Sequence, residues 1–292
     1  MKRDKLLNLR QEFQTMLEEY KGTEKVKLSN SILELLLFDY NLIYGKTYKR
    51  FIKYDHINKL DLQDLSFDNV DICRVDFTDL NVKINPQTVF QKNLSHIKAN
   101  SVTFIGPFDG ALICNADFTG SKNAIINPQT IEEKNLTFTN LKDSKLIGSL
   151  DNTFIRGTSF KGCIGNLEID PQKINGKDLS YTNLDGVTFK GTFDDCIIEH
   201  ANFENSKHAQ IDPNKIKDHN LKNCNFNGVT FINPINNSTI HSSDFSKAKN
   251  AQIDLSTCIG GTSANLDNTT ILKHKDEYNQ KIYELKKAFK IG

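Results

Sequence analysis

The chain contains no tryptophan, and its 292 residues include only 6 prolines and 2 methionines. Its 19 phenylalanines outnumber its 8 tyrosines, which favours a core of uniform, wholly apolar side chains. No apolar run is long enough to span a membrane, and the first residues contain no hydrophobic segment of a signal peptide. We therefore expect a cytoplasmic protein that makes no membrane contact.

Paired cysteines are also missing. No two of the six cysteines form a CxxC pair, and no histidine accompanies them at the spacing of zinc ligands. Cys196 and Cys224 fall where a repeat in the sequence requires a small buried residue, so we interpret the cysteines as reduced, apolar fillers. A metal or disulfide role is the alternative. The six are Cys73, Cys114, Cys163, Cys196, Cys224 and Cys258.

The sequence has no recognisable catalytic set. Its seven histidines do not pair at helical spacing with each other or with a nucleophile, and Gly260-Gly261 is typical of a turn rather than of a phosphate-binding loop. Aspartates and asparagines recur at nearly constant intervals, but their side chains bond the local backbone, which suits corners. We expect no enzyme, no cofactor and no metal. The two ladders are Asp109, Asp151, Asp194 and Asn236, and Asn85, Asn127, Asp170, Asp212 and Asp254.

What the sequence does contain is a five-residue spacing inside a longer repeat. The spacing begins with Leu62, Phe67, Ile72 and Phe77. One triplet recurs along the chain, with Ile first, Asn or Asp second and mostly Pro third. The distance between successive triplets is constant to within one residue, and they start at Ile84, Ile126, Ile169, Ile211 and Ile253. A fixed period of this size indicates stacked structural units.

The five-residue spacing predicts a coiled chain. A helix of period 3.6 cannot maintain it, and a plain strand has a period of 2. A chain that turns a corner every five residues points one large side chain inward from each side of a square, and four sides close a coil of about 20 residues. Each long repeat is therefore predicted to form two coils. Small residues that precede the large ones by two fill the remaining interior: Ala111, Ala116, Thr153, Thr158, Cys196, Ala201, Ser238 and Ser243.

These units resemble the pentapeptide-repeat family, whose pattern is a small residue, Asp or Asn, Leu or Phe, and two variable positions. The pattern is present in Val75-Asp76-Phe77, Ala116-Asp117-Phe118 and Ala201-Asn202-Phe203. The resemblance covers about residues 62–271. It implies an all-β solenoid over 61–271, namely a right-handed quadrilateral (four-sided) β-helix of about ten coils, with α-helical N- and C-terminal segments.

Irregular steps interrupt the spacing at regular places. Steps of eight residues, such as Phe203 to Ile211, and one of nine predict a bulge at one edge once every two coils. Steps of four, such as Phe189 to Phe193, predict one tightened corner. Asn127-Pro128 is typical of a helix start, so we expect a local distortion or a helical turn at these corners, with the nearby basic side chains snorkelling to the surface or pointing outward. Those basic residues are Lys92, Lys134, Lys177 and His219.

The two ends are predicted to cover the solenoid. Residues 1–60 should form a helical cap, with helices over about 4–20 and 30–44, and residues 272–292 a C-terminal helix over about 273–290. A terminal helix is also a candidate homodimer contact, because several family members dimerise through their C-terminal ends. Basic and aromatic residues alternate over 46–54, which we interpret as a lead into the first coil; nucleic-acid binding is the alternative, and we do not expect it.

Two functional hypotheses follow. The first is a non-enzymatic scaffold or protein-interaction protein with an unidentified protein partner. The second comes from the family resemblance: a DNA-mimicking inhibitor of DNA gyrase or a related topoisomerase. Charge favours the first, because residues 61–271 carry 19 basic and 25 acidic groups, a net of −6. Duplex DNA carries about 28 charges over the roughly 48 Å that ten coils would span.

A lysine stripe is the candidate partner-binding site. Lys122, Lys207 and Lys249 occupy matching places in three of the predicted bulges. Stacked coils would align these side chains, about 10 Å apart for adjacent repeats, and such a row could meet an acidic partner. The alternative is that they are ordinary solvated loop lysines.

Overall fold

The computed structural model describes residues 3–22, 26–27, 49–50, 60–61, 65–274, 284–285 and 287. The chain forms two compact units. Unit 1 consists of Met1–Asn135 and Thr139–Ile147, and unit 2 consists of Leu136–Phe138 and Gly148–Gly292.

Regular structure is short and mostly extended. One α-helix, α1, spans Arg3–Glu19 and matches the first helix expected from the sequence. Fourteen strands follow in the described residues, most of them two residues long: β1 Val26–Lys27, β2 Lys49–Arg50, β3 Leu60–Asp61, β4 Val75–Asp76, β5 Lys83–Ile84, β6 Thr103–Phe104, β7 Ile125–Ile126, β8 Lys145–Leu146, β9 Glu168–Ile169, β10 Thr188–Phe189, β11 Gln210–Ile211, β12 Thr230–Phe231, β13 Gln252–Asp254 and β14 Thr270–Lys273.

Every strand pair that the structure describes is parallel. The pairs are β1–β3, β2–β4, β5–β6 and β7–β8 in unit 1, and β9–β10, β11–β12 and β13–β14 in unit 2. From β5 onwards, each strand pairs in parallel with a strand about one coil length further along the chain. Lys83, for example, pairs with Thr103. A chain that repeatedly returns in parallel must coil, so each unit is a β-helical solenoid.

Short and long coils alternate in both units. In unit 1, a short coil separates Lys98 from its partner Asp117, and a longer coil separates Asp117 from its own partner Asn140. In unit 2, the pairing of Asn183 with Asn202 and of Asn202 with Asn225 repeats the same two lengths in the same order. One short and one long coil together span the same length of chain as one long repeat of the sequence, so two coils per repeat are confirmed.

The bulge accounts for the length of the long coil. Lys122 pairs with Thr103 of the preceding coil, whereas Ile125 pairs with Lys145 of the following coil. The stretch between these pairings leaves the regular ladder, as the eight-residue steps predicted. The short coil instead contains the four-residue step, which removes one residue at a corner.

The predicted inward sites form the core. The four repeat origins, Leu94, Leu136, Leu179 and Leu221, are fully buried, as are most residues at the matching offsets. Leu146, near the end of unit 1, is an exception and is half-buried. Phenylalanine clusters lie at matching places in both units: ring centroids are 4.9–5.6 Å apart in Phe104, Phe108 and Phe118 and 5.0–5.9 Å apart in Phe189, Phe193 and Phe203.

Small buried residues bond the backbone of the preceding coil. In unit 2, Thr158 Oγ1 donates to Leu136 O at 2.6 Å, and Cys224 Sγ donates to Ile198 O at 2.9 Å. Thr139 Oγ1 donates to Ile113 O in unit 1 in the same way. Ser, Thr and Cys therefore suit these positions, because each fills little volume and has a donor that can reach the backbone. Thr153 is an exception, since its Oγ1 is buried without a hydrogen-bond partner.

The predicted helical turns are present as 3₁₀ turns in unit 2. Pro171–Lys173 and Pro213–Lys215 each begin with proline, and the side chains of Asp170 and Asp212 cap them. The helix predicted over 30–44 lies outside the described residues. The segment 46–54 and the C-terminal helix predicted over 273–290 lie mostly outside them.

Candidate interaction surfaces

The lysines of the stripe lie on the ladder, beside the bulges and not in them. Lys122, Lys207 and Lys249 are exposed, and each pairs with a threonine of the preceding coil. Lys207 and Lys249 belong to unit 2, where two coils separate them by about 9.6 Å. Gln210 and Thr230 lie between them in the ladder, so the two lysines are not contiguous.

The residue after each lysine of the stripe has a left-handed backbone. Asn123, His208 and Asn250 have φ values of 58°, 59° and 56°. Asparagine tolerates this conformation better than most residues, because its side chain can bond the local backbone. The conformation turns the chain into the bulge, so it explains the residue types beside the lysines in structural terms.

The lysines expected to snorkel or point outward at the corners are half-buried and also form hydrogen bonds. Lys92 Nζ donates to Gln87 Oε1 at 2.7 Å, and Lys134 Nζ donates to Gln129 Oε1 at 2.9 Å. Gln87 Nε2 in turn donates to Asp109 O of the next coil at 2.8 Å. The lysine side chains are half-buried with their ammonium groups at the surface, and they fasten one coil to the next.

The recurring Asp and Asn residues are corner residues. Each member of the ladder that starts at Asn85 accepts a hydrogen bond through Oδ1 from the backbone N–H two residues on, at 3.0–3.1 Å. This is the local bonding predicted for corners. Their side-chain oxygens therefore stabilise the backbone at these corners.

The cysteines are free thiols, and three of them are buried. Burial raises the pKa of Cys196 and of Cys224 to about 12. These thiols therefore stay protonated at neutral pH, as expected of fillers. Among the described residues, no three His, Cys, Asp or Glu side chains are grouped to hold a metal ion. No helix in the described part of the chain is long and apolar enough to cross a membrane.

A further surface was not predicted from the sequence. We define the left-handed corner of unit 2 as Phe138, Gly157, Tyr181, His200, Asn223 and Ser242, one residue from each successive coil. Backbone hydrogen bonds establish the order, since Gly157 N donates to Ser180 O and Tyr181 N donates to Glu199 O. All six have φ between 53° and 68°.

Aromatic side chains at this corner are stacked and exposed. Phe138 is 52% exposed and Tyr181 is 43% exposed. The Tyr181 ring stacks on His200 with a centroid distance of 4.3 Å and an angle of 11°. The Arg156 guanidinium carbon lies 5.5 Å from the centre of the same Tyr181 ring. Tyr181 thus contacts both an aromatic ring and a cation, which makes a rigid platform.

Gly157 provides the space that Phe138 needs. A Cβ atom at Gly157 would lie 2.3 Å from the Phe138 ring, closer than van der Waals contact allows. The ring therefore packs against the backbone of the next coil. At the other end of the stack, Asn223 Nδ2 lies 3.0 Å from His200 Nε2 and fixes the imidazole.

No protein-family model and no curated protein matches the chain. Among solved structures, it matches HetL, a pentapeptide-repeat protein involved in heterocyst differentiation regulation in the cyanobacterium Nostoc sp. strain PCC 7120. The identity is 12% and the TM-score is 0.30, over 73% of this chain and 91% of HetL. It also matches full-length QnrB1, a plasmid-mediated fluoroquinolone resistance protein, at 14% identity and a TM-score of 0.18, over 70% of this chain and 90% of QnrB1.

The chain is similar to pentapeptide-repeat proteins. At these TM-scores the similarity carries no argument about its function, and the solenoid fold follows from the parallel registers of the two units. In the pentapeptide-repeat pattern, Phe138, Tyr181 and His200 all occupy the second variable position. The sequence therefore contained only one indication of this corner. Asn115, Gly157 and Asn223 stand at the same position of the pattern, and residues of these types favour positive φ.

Proposed function

We propose that this chain is a non-enzymatic protein-interaction scaffold and that the left-handed corner of unit 2 is its principal contact surface. The observation that carries this proposal is the presence of exposed Phe138 and Tyr181 at backbone positions that disfavour them. A left-handed conformation costs a residue with a bulky side chain about 1–2 kcal/mol. Asn223 and Gly157 show that less strained residues fit the same corner.

Strained, exposed aromatics point to binding for two reasons. The turn of the coil imposes the left-handed backbone, so a bulky residue there is strained, and strained residues cluster at functional surfaces. Tyrosine and arginine are also enriched among the residues that contribute most binding energy at protein interfaces. Tyr181 and Arg156 lie together here, and their stacking reduces the entropy lost when a partner binds.

The proposal of a non-enzymatic role is supported by what the recurring polar residues do. Asn85 and its successors bond their own backbone, and Gln87 and Lys92 join adjacent coils. Both sets are used in folding, so neither needs a reaction to explain it. The unidentified partner is proposed to be another protein.

For the fold, we further propose right-handed, four-sided coils, about ten over residues 61–271. Unit 2 supports this. One of its coils runs from Asp178 to Ile197, which pairs with Asp178, and four buried residues spaced five or four apart lie along it, one for each side. Those residues are Leu179, Leu184, Phe189 and Phe193. A homodimer through a terminal helix remains part of the proposal, and Met16 on α1 is 49% exposed.

The alternative, a DNA-mimicking gyrase inhibitor, needs a continuous acidic face. Several half-buried carboxylates are instead paired with lysines of neighbouring coils, at 3.1 Å for Lys98–Asp76 in unit 1 and for Lys161–Asp185 and Lys215–Asp194 in unit 2. Such pairing lowers the negative potential that a mimic would need. A gyrase supercoiling assay tests this alternative: inhibition by the purified chain would replace our proposal.

Site-specific photocrosslinking tests the proposed function. A photoreactive phenylalanine analogue would replace Phe138, Tyr181 or, as the control, Ser242, which has the same backbone but no aromatic neighbour in the stack. We expect the analogue at 138 and 181 to capture the same protein in native cells and the analogue at 242 to capture none. Absence of a specific adduct at 138 and 181 would refute the role of this corner.

A further inference from the structure

We propose that the left-handed corner of unit 2 binds a proline-rich peptide that adopts the polyproline II conformation and carries a carboxylate. The inference rests on the proposed function, since it names the chemical class of partner for the same surface. Three features of the corner support it: the spacing of its aromatic residues, the chemistry of their rings, and the position of its arginine.

The spacing of the aromatic residues matches a polyproline II helix. Phe138 and Tyr181 are two coils apart, because Phe138 N bonds Arg156 O and Gly157 N bonds Ser180 O. Two coils span about 9.6 Å. A polyproline II helix has three residues per turn and rises about 9.3 Å in that turn. Prolines three residues apart would therefore meet the two aromatic positions in succession.

The chemistry of the two rings also suits proline. Aromatic-lined surfaces are the usual receptors for polyproline II segments, whose restricted backbone loses little entropy on binding. The Phe138 ring lies against Gly157 and so reaches over the coil between the two aromatic positions. A peptide of ordinary composition would lose more entropy on adopting the same extended path.

Arg156 selects for a carboxylate in the peptide. Its guanidinium lies over the Tyr181 ring, so the ring holds the planar group and leaves its edge N–H donors available. Among the residues that the structure describes, none forms a salt bridge with Arg156. A carboxylate of the ligand could accept two parallel hydrogen bonds from such an arginine.

A binding titration with defined peptides tests the inference. The chain contains no tryptophan, so the fluorescence of a peptide with one terminal tryptophan can be excited selectively, at wavelengths where the 8 tyrosines of the protein absorb little. The probe is four repeats of Pro-Pro-Glu. The comparison peptides are four repeats of Gly-Ser-Glu, which keeps the charge without the conformation, and of Pro-Pro-Gln, which keeps the conformation without the charge. We expect the affinity order Pro-Pro-Glu, Pro-Pro-Gln, Gly-Ser-Glu.

Variants of the full chain locate the binding. Phe138→Asn and Tyr181→Asn should each weaken binding of Pro-Pro-Glu by about tenfold or more, as expected for central aromatic contacts. Both should melt at or above the wild-type temperature, because Asn223 already occupies the same corner with φ of 56°. Arg156→Gln should weaken binding of Pro-Pro-Glu and leave that of Pro-Pro-Gln unchanged. Ser242→Asn is the matched control and should bind normally.

Several results would overturn the inference. These are equal affinity for Gly-Ser-Glu, unchanged affinity in Phe138→Asn and Tyr181→Asn, or tighter binding of oligothymidylate, which would indicate base stacking instead. If the crosslinks at 138 and 181 form but no proline-rich peptide binds, this inference fails and the proposed function stands. If neither crosslinks nor peptide binding is observed, both fail.

Discussion

The same left-handed corner exists in both units, but different side chains occupy it. In unit 1 it comprises Arg74, His96 and Asn115, with φ values of 64°, 60° and 60°. In unit 2 it includes Phe138 and Tyr181, with φ values of 55° and 60°. The backbone conformation therefore follows from the way the coil turns. The choice of an aromatic or a polar side chain is a separate property of each unit.

The interior does not differ in this way. Phe104 and Phe118 in unit 1 correspond to Phe189 and Phe203 in unit 2, with ring centroids 5.6 and 5.9 Å apart. Packing determines the residue types of the interior, because each coil has a fixed volume to fill. The corner faces solvent, so packing does not determine its residue types. The comparison thus separates positions that folding determines from positions that binding can use.

Truncating core side chains should produce the largest losses of stability, and these losses should be similar in the two units. Phe118→Ala and Phe203→Ala each remove a fully buried ring from a cluster of three. We expect each to lower the free energy of unfolding by about 3–5 kcal/mol, measured by urea denaturation. Phe154→Ala, at a residue that is 42% exposed, is the control and should have a much smaller effect. A large difference between the two core variants would contradict the equivalence of the units.

Exchanging corner residues should produce the next largest effect. Asn115→Tyr places an aromatic residue on a left-handed backbone in unit 1, where φ is 60°. We expect a loss of about 1–2 kcal/mol, measured by thermal unfolding. Asn115→Gly should cause little change, because glycine adopts this conformation freely. If Asn115→Tyr proved neutral, strain would no longer distinguish Tyr181 and Phe138.

Replacing either of two buried serines with alanine should stabilise the fold, whereas the same replacement of a third buried serine should destabilise it. Ser121 Oγ in unit 1 and Ser206 Oγ in unit 2 are buried without a hydrogen-bond partner, and Ala248 occupies the equivalent place one repeat later. Ser121→Ala and Ser206→Ala should each stabilise the fold by up to about 1 kcal/mol in denaturation experiments. Ser243→Ala is the control: its hydroxyl donates to Leu221 O, so it should destabilise by about the same amount.

The polar corner of unit 1 should depend on pH. Burial and the positive charge of Arg74 lower the pKa of His96 below its ordinary value of 6.5. The unfolded chain therefore binds more protons than the folded chain between the lowered pKa and about 6.5, so stability should rise with pH in that window. His96→Asn should flatten this rise in thermal melts. In an NMR titration of the His96 imidazole, Arg74→Gln should move the pKa upwards; an unchanged value would exclude the charge of Arg74 as a cause.

The lysine stripe should have the smallest effect on stability. Changing Lys122, Lys207 and Lys249 together to Glu alters only exposed side chains, so the free energy of unfolding should change by less than about 0.5 kcal/mol per site. Pull-downs from a native cell extract with this variant test the acidic-partner hypothesis. An unchanged set of captured proteins would count against the stripe and leave the left-handed corner as the stronger candidate.

Much of the fold could be predicted from spacing alone. The five-residue pattern identified inward residues such as Leu94 and Phe203, because packing demands a large apolar side chain on every side of every coil. The four- and eight-residue steps predicted the short and long coils that the pairings of Asp117 and Asn140 establish. The short and long coils can be predicted from the sequence because each changes the number of residues between successive buried positions.

The candidate site could not be predicted in this way. Tyr181 and Phe138 occupy variable positions, so no periodic pattern requires them, and their stacking partners lie a full coil or more away along the chain. The contact between Lys92 and Gln87 was missed for a related reason. A lysine two residues before a leucine was expected to snorkel or point outward, but nothing in the spacing identified the glutamine five residues earlier as the acceptor of its hydrogen bond. Such contacts depend on three-dimensional placement, which spacing does not encode.

The alternation of short and long coils also bears on how such a chain can change its length. A single coil copied within the gene would place two short coils or two long coils side by side and interrupt the regular alternation of pairings. A copy of two coils restores each strand to its usual partner, as the registers of Asn183, Asn202 and Asn225 illustrate. Inheritable changes in length should therefore occur in pairs of coils, and an engineered extension should insert a whole pair.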